Sequence, residues 1–273
     1  MNIKLYNQFL KFILILIGIV ILGPTFFGVL GLLFPAFGYF PSLGNNDFSI
    51  KYFYDLFLIP GILKSILLSF STGFFSTILA LLFSQIILLS IFNTKFYYYL
   101  KIIISPLLAM PHITMAVGLM FLLSPSGLIF RLLSPWLTGF NRPPDFFIIP
   151  DEYGLSLTLG LILKETPFFL LASMAAIEQF PANKIFKIGK SLQHSNFSTW
   201  LLLIFPNLYK RIRLVVFIVI AFTSSVIDMA VLLAPSTPST LSIRILQIYQ
   251  SVDLDSIFIA SSLALVQVFI ITI

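Results

Sequence analysis

Lys164 and Glu165 stand side by side well inside an apolar run, and Asp228 stands inside another. At about 1.5 Å of rise per helical residue, Lys164 is roughly 15 Å from the end of its run, too deep for easy snorkelling to a membrane surface. Each such charge costs on the order of 2.5–3.5 kcal/mol to insert, so each must face a partner or a wet cavity. Neighbours at i and i+1 on a helix point in different directions, which keeps Lys164 and Glu165 from satisfying each other. The expected arrangement pairs Lys164 with Asp228 across two spans and turns Glu165 toward a translocation pathway. The alternative is a buried pair that only fixes helix register. The three groups could also relay protons, the chemistry of a secondary transporter driven by a proton or ion gradient. Pro167 removes one backbone hydrogen bond beside these charges and can kink the helix, which makes it a possible gate.

Other chemistries find no residues to carry them. Cysteine is absent, which removes disulfides, thiolate metal sites and cysteine nucleophiles. The two histidines, His112 and His194, fall in different segments, and a shared metal site is not expected. No serine with a neighbouring base occurs in the apolar runs. Gly189-Lys190-Ser191 has the ending of a phosphate-binding loop, but Lys184 stands where that loop needs glycine and no strand precedes it. No catalytic residue, metal or cofactor is therefore expected in this chain, and it is not read as an enzyme.

The stretch 177–206, IEQFPANKIFKIGKSLQHSNFSTWLLLIFP, separates two very apolar segments. At roughly 100° per residue, Lys184, Lys187 and Lys190 share one side of a helix, and Ile185, Ile188, Gly189 and Leu192 share the other. A helix of this kind docks into a groove on a soluble partner or lies on anionic lipid, where each lysine adds about 1 kcal/mol.

The elements that must position these residues are membrane helices. Hydrophobic residues make up 59% of the chain and charged ones 10%, with a mean hydropathy of +1.05, which excludes an ordinary soluble domain. The net charge of +6 does not point to nucleic acid, because the basic residues sit at the ends of apolar runs. Runs near 11–34, 62–92, 101–124, 154–177, 212–235 and 255–273 predict an all-α integral membrane protein of six transmembrane helices. Lys4, Lys11, Lys95, Lys101, Lys184, Lys187, Lys190, Lys210, Arg211 and Arg213 fall before the first run or in the second and fourth connections. The other connections carry Asp47, Asp55, Asp145, Asp151, Glu152, Asp253 and Asp255, with only Lys51, Arg131, Arg142 and Arg244 as basic residues. The excess of lysine and arginine on one side predicts a cytoplasmic N-terminus in a multi-pass protein. On the outer side, 126–140 reads as an interfacial helix with Trp136 near the headgroups, followed by a proline-shaped loop, NRPPDFFIIPDEYG.

Within this frame, 181–206 resembles the coupling loop of binding-protein-dependent ABC transporter permeases. That pattern runs Glu-Ala-Ala, three residues, Gly, nine residues, Ile, one residue, Leu-Pro. Counting back from Pro206 sets Phe205 at the Leu, Leu203 at the Ile and Gln193 at the Gly. Lys187-Ile188-Gly189 then falls at Glu-Ala-Ala, and Pro181 opens the loop. PHITMAVGLMFLLSPSG (111–127), SPWLTGFNRPPDF (134–146), YGLSLTLGLILKETPFFLL (153–171) and DMAVLLAPSTPSTL (228–241) are similar to the two-module permeases of the iron and thiamine type. The chain resembles their N-terminal module, and it ends inside an apolar run, VQVFIITI, so a longer polypeptide is expected.

The resemblance implies a type I ABC importer permease of the bacterial inner membrane, with a coupling helix resting on a separate ATPase subunit that holds ATP and Mg. It implies a periplasmic solute-binding protein as donor, a second permease module, fused or separate, and thiamine-like or ferric cargo. The docking face expected on the ATPase side is Ile185, Ile188 and Leu192.

Overall fold

A computed structural model describes residues 3–143 and 149–272, with the backbone alone for residues 3–7. Two charges used in the topology argument, Asp145 and the side chain of Lys4, lie outside the described residues. In chain order the helices are α1 (Ile3–Ala36), α2 (Lys51–Asp55), α3 (Ile62–Ile91), α4 (Phe96–Ala109), α5 (His112–Leu123), α6 (Leu128–Leu133) and α7 (Leu155–Ile177). They continue with α8 (Ala182–Ser191), α9 (Asn196–Thr199), α10 (Phe205–Ser225), α11 (Ala230–Leu233), α12 (Leu241–Tyr249) and α13 (Ser256–Thr272). Among the described residues the only β pairing is an isolated bridge between Phe40 and Asn45. An all-helical backbone is what a bilayer requires, since each N–H and C=O then finds its partner within its own segment.

Among the described residues, four stretches are long and apolar enough to cross a membrane: Gln8–Ala36, Ile62–Ile91, His112–Leu133 and Leu155–Ile177. The expected run at 101–124 is two helices rather than one. Met110 and Pro111 are extended between α4 and α5, with ψ of 127° and 146°. Pro111 has no N–H to continue α4 and disfavours helical geometry at the residue before it. The run expected at 212–235 also breaks, because α10 starts earlier, stops at Ser225, and Val226 is extended at ψ 135°. The interfacial helix expected over 126–140 shrinks to α6, since Ser134 turns extended ahead of Pro135, and Trp136 is 90% exposed.

Contacts divide the chain into two units, one built around α1, α2 and α13, the other around α3 to α11. In the first, Phe258 of α13 is fully buried and stacks on Tyr52 with ring centroids 4.8 Å apart. Ser262 Oγ donates to the Ala36 carbonyl at 3.0 Å, which anchors α13 to the end of α1. The rest of α1 keeps Phe9, Phe12, Leu14 and Phe26 exposed, as a lipid-facing helix does.

In the second unit, α7 runs through the centre. Phe169 and Met174 pack with Ile204, Leu208 and Ile212 at one end, and Leu157 and Leu161 pack with Met229 and Leu233 at the other. Helices α3 and α10 cross closely because Gly73 has no side chain. A Cβ there would stand 2.7 Å from the Ser224 backbone, and Thr223 Oγ1 reaches the Gly73 carbonyl at 3.1 Å. Small residues and hydroxyls supply helix contact inside a bilayer, where the hydrophobic effect gives none. Asp151 starts α7: its carboxylate accepts from the N–H groups of Tyr153, Leu155 and Ser156 at 3.1, 2.7 and 2.7 Å. Partial burial pushes that carboxyl up, but the hydrogen bonds from Ser156, Leu155 and Tyr153 outweigh it and hold it below the usual aspartate value.

Candidate functional site

Helix α8 carries the residues of the expected coupling loop, and both of its ends follow from sequence. Pro181 caps its start, where a missing N–H costs nothing. Its end is a left-handed turn. Gln193 has φ +60°, its N–H donates to the Lys190 carbonyl at 3.0 Å, and the His194 N–H donates to the Gly189 carbonyl at 3.0 Å. These two bonds make a Schellman motif, whose left-handed position favours glycine because a Cβ there crowds the following carbonyl. Gln193, which the sequence count sets at the glycine position, holds this turn at a conformational cost.

Gly189 is the pivot between α8 and α9. It is buried, and a Cβ on it would overlap the Thr199 Cγ2 methyl and stand 2.7 Å from Thr199 Oγ1. The Ala-to-Gly position of the loop pattern therefore needs the smallest residue in this chain. Beneath α8, Phe92 meets Phe186 and Trp200, each with centroids 5.3 Å away, and pins the loop to the end of α3. Five residues of π-helix, Trp200–Ile204, then widen the turn ahead of Pro206, where a regular helix would clash with the proline ring. Leu203 and Phe205 are half-buried along this turn, and Pro206 sits in the first turn of α10.

The surface left free differs from the expected docking face. Ile185 turns inward and packs against the core with Phe186, whereas Ile188 and Leu192 are 56% and 63% exposed. Ile185 is thus corrected from docking residue to anchor: the core claims the side of α8 that carries Ala182, Ile185 and Gly189. Lys184, Lys187 and Lys190 are exposed around the two free apolar residues. Gly189-Lys190-Ser191 lies at the C-terminal end of α8, the negative end of the helix dipole and the wrong end for a phosphate.

The intramembrane charges meet around the break between α4 and α5. Lys164 Nζ donates to the carbonyls of Leu107, Leu108 and Met110 at 3.2, 3.1 and 2.5 Å. The reason lies in Pro111: an unbroken helix would bond the Leu107 carbonyl to the N–H of residue 111, and proline has none. The ammonium fills that vacancy and sits at the negative end of α4. The expected Lys164–Asp228 pair is therefore corrected. Asp228 is exposed in the turn between α10 and α11 and makes no ion pair among the described residues.

Glu165 is 5% exposed, and its carboxylate makes no hydrogen bond among the described residues. Its nearest polar neighbour is His112 Nε2, 3.6 Å from Oε1 and too far for a hydrogen bond. His112 Nε2 is itself buried without a hydrogen-bond partner. Both side chains line a cavity of 470 Å³ with Met110, Pro111, Phe168 and Phe222. Pro167 is buried between the cavity-lining Glu165 and Phe168, in a helix that stays continuous from Leu155 to Ile177. The meeting of His112 with Glu165 escaped the sequence reading, because the two lie far apart in the chain and no spacing rule joins them. The only local signal was the place of His112 next to a helix-breaking proline.

No family model matches the chain. It is similar to the inner membrane ABC transporter permease protein YnjC of Escherichia coli (strain K12), at 24% identity over 216 residues. That alignment takes in 78% of this chain and 40% of the relative, so the chain spans less than half the length of the relative it matches. The relative is an inner-membrane ABC permease, and the four long apolar stretches of this chain agree with that likeness. The resemblance drawn from the loop spacing is thus supported by a comparison over most of the chain.

Proposed function

We propose that this chain is a transmembrane permease module of an ATP-driven ABC importer, with its N-terminus and α8 in the cytoplasm. An ATPase subunit holding ATP and Mg rests on α8, a periplasmic binding protein delivers a small solute to the outer loops, and a second module completes the pathway. Thiamine-like or ferric cargo fits the resemblance.

The observation that carries this reading is the construction of α8. It is locked to the core by Ile185, Phe186 and Gly189 while Ile188 and Leu192 stay exposed in a ring of lysines. A rigid helix presenting a few apolar anchors is the helix-in-groove mode of recognition, in which the partner supplies the groove. Lipid binding alone needs no such locking. The test is capture of the candidate ATPase by the detergent-purified protein, comparing wild type with Ile188→Asp. Loss of capture in the variant with retained folding supports the reading, and equal capture by both overturns it.

A further inference from the structure

The cavity between α4, α5, α7 and α10 has walls of two kinds. One side carries the carboxylate of Glu165, buried, without a hydrogen bond, and facing the cavity it lines. Lys164 and His112 also line it, and the remaining walls are apolar and aromatic, from Met110, Phe168 and Phe222. The charges nearby are Lys164, Glu165 and Asp228, the last close enough to act electrostatically on His112. Lys164 already has three carbonyl acceptors. One cation against two anions leaves the neighbourhood net negative when His112 is neutral, and the unsatisfied member is the carboxylate inside the cavity.

A buried carboxylate without a hydrogen bond is costly unless something positive answers it. A small hard metal ion would need several oxygen ligands, and this site offers one carboxylate. A nitrogen cation needs only one counter-charge and aromatic faces, which attract it through the ring quadrupole. Phe222, whose ring centroid lies 5.1 Å from that of His112, and Phe168 supply those faces.

We propose that Glu165, His112, Phe168 and Phe222 form a binding site for an organic nitrogen cation, a protonated amine or quaternary ammonium group, within the membrane span. Glu165 supplies the counter-charge, the two phenylalanines supply the cage, and His112 closes the site beside the carboxylate. That the bound cation is transported cargo rests on the permease reading; that it binds does not.

The experiment uses the detergent-purified protein and N,N′-dicyclohexylcarbodiimide, an apolar reagent that labels intramembrane carboxyl groups. Labelling of the Glu165 peptide is quantified by mass spectrometry at constant ionic strength, with Glu165→Gln as the assignment control. Choline and tetraethylammonium should each reduce labelling at least about fivefold. Sodium chloride and 3,3-dimethylbutanol, the uncharged isostere of choline, should change it less than twofold. Phe222→Leu should keep the label and weaken protection by the ammonium ions. Equal protection by the neutral isostere would show an apolar pocket only, and equal protection by sodium a metal site; either overturns the proposal. A Glu165 that takes no label, or one that no ammonium protects, overturns it as well. No ATPase is present, so the result stands apart from the capture experiment on α8.

Discussion

Gly189 lies so close to Thr199 that any side chain on it would overlap the Thr199 methyl and hydroxyl groups. This contact holds α8 against the short helix α9, and it sets what the outer face of α8 can present. Replacing Gly189 by Val should force the two helices apart, an overpacking worth about 1–3 kcal/mol. The expected readout is a lower unfolding temperature in detergent, with weaker ATPase capture although no exposed residue has changed. Ser191→Val, on the exposed side of the same helix, should leave the unfolding temperature nearly unchanged.

Gln193 gives the opposite prediction. It holds φ +60°, where glycine is at ease and other residues are strained by about 1–2 kcal/mol. Gln193→Gly should therefore raise the unfolding temperature, while Gln193→Val should lower it. A fall with glycine would show that the Gln193 side chain contributes more than its backbone strain costs.

Lys164 should behave as a cap on α4 and not as the partner of Asp228. Lys164→Met would leave the Leu107, Leu108 and Met110 carbonyls without their donor, a loss of about 1–3 kcal/mol for a buried group left unsatisfied. Asp228→Asn should change stability by less than about 0.5 kcal/mol, as surface substitutions usually do. The double reversal Lys164→Asp with Asp228→Lys should be no more stable than Lys164→Asp alone. Recovery in the double variant would restore the pairing that the sequence led one to expect.

Asp151 makes stability depend on acid. Its carboxyl is held below the usual aspartate value in the folded protein, so the carboxylate favours folding at pH above its unfolded value of about 3.9. That contribution is lost as pH falls through the lower folded value. The difference in unfolding temperature between wild type and Asp151→Asn should be constant from about pH 7 to 5 and shrink below about pH 4. A difference that grows on acidification would contradict the capping role.

Much of this was legible in the sequence for identifiable reasons. Apolar length gave the helical membrane class, and the residue that counting back from Pro206 sets at the glycine position, Gln193, has a left-handed backbone. What escaped depended on residues far apart in the chain. Pro111 removes an amide from α4, and only the folded structure brings Lys164 to the carbonyl left behind. Helical angles put Ile185 on one face with Ile188, but the core claims Ile185, and periodicity carries no information about which edge of an apolar face is covered. His112 and Glu165 meet because α5 starts at the break, a consequence of Pro111 that spacing could not reveal.

The measurement that tests the account most directly uses the absence of native cysteine. Single cysteines at Ile185, Ile188, Leu192 and, as a lipid-facing control, Phe12 would each be cross-linked to the ATPase subunit in membranes. The account predicts cross-links from Ile188 and Leu192, and none from Ile185 or Phe12. Cross-linking from Ile185 as strong as from Ile188, or none from Ile188 and Leu192 in a complex that still assembles, would contradict it.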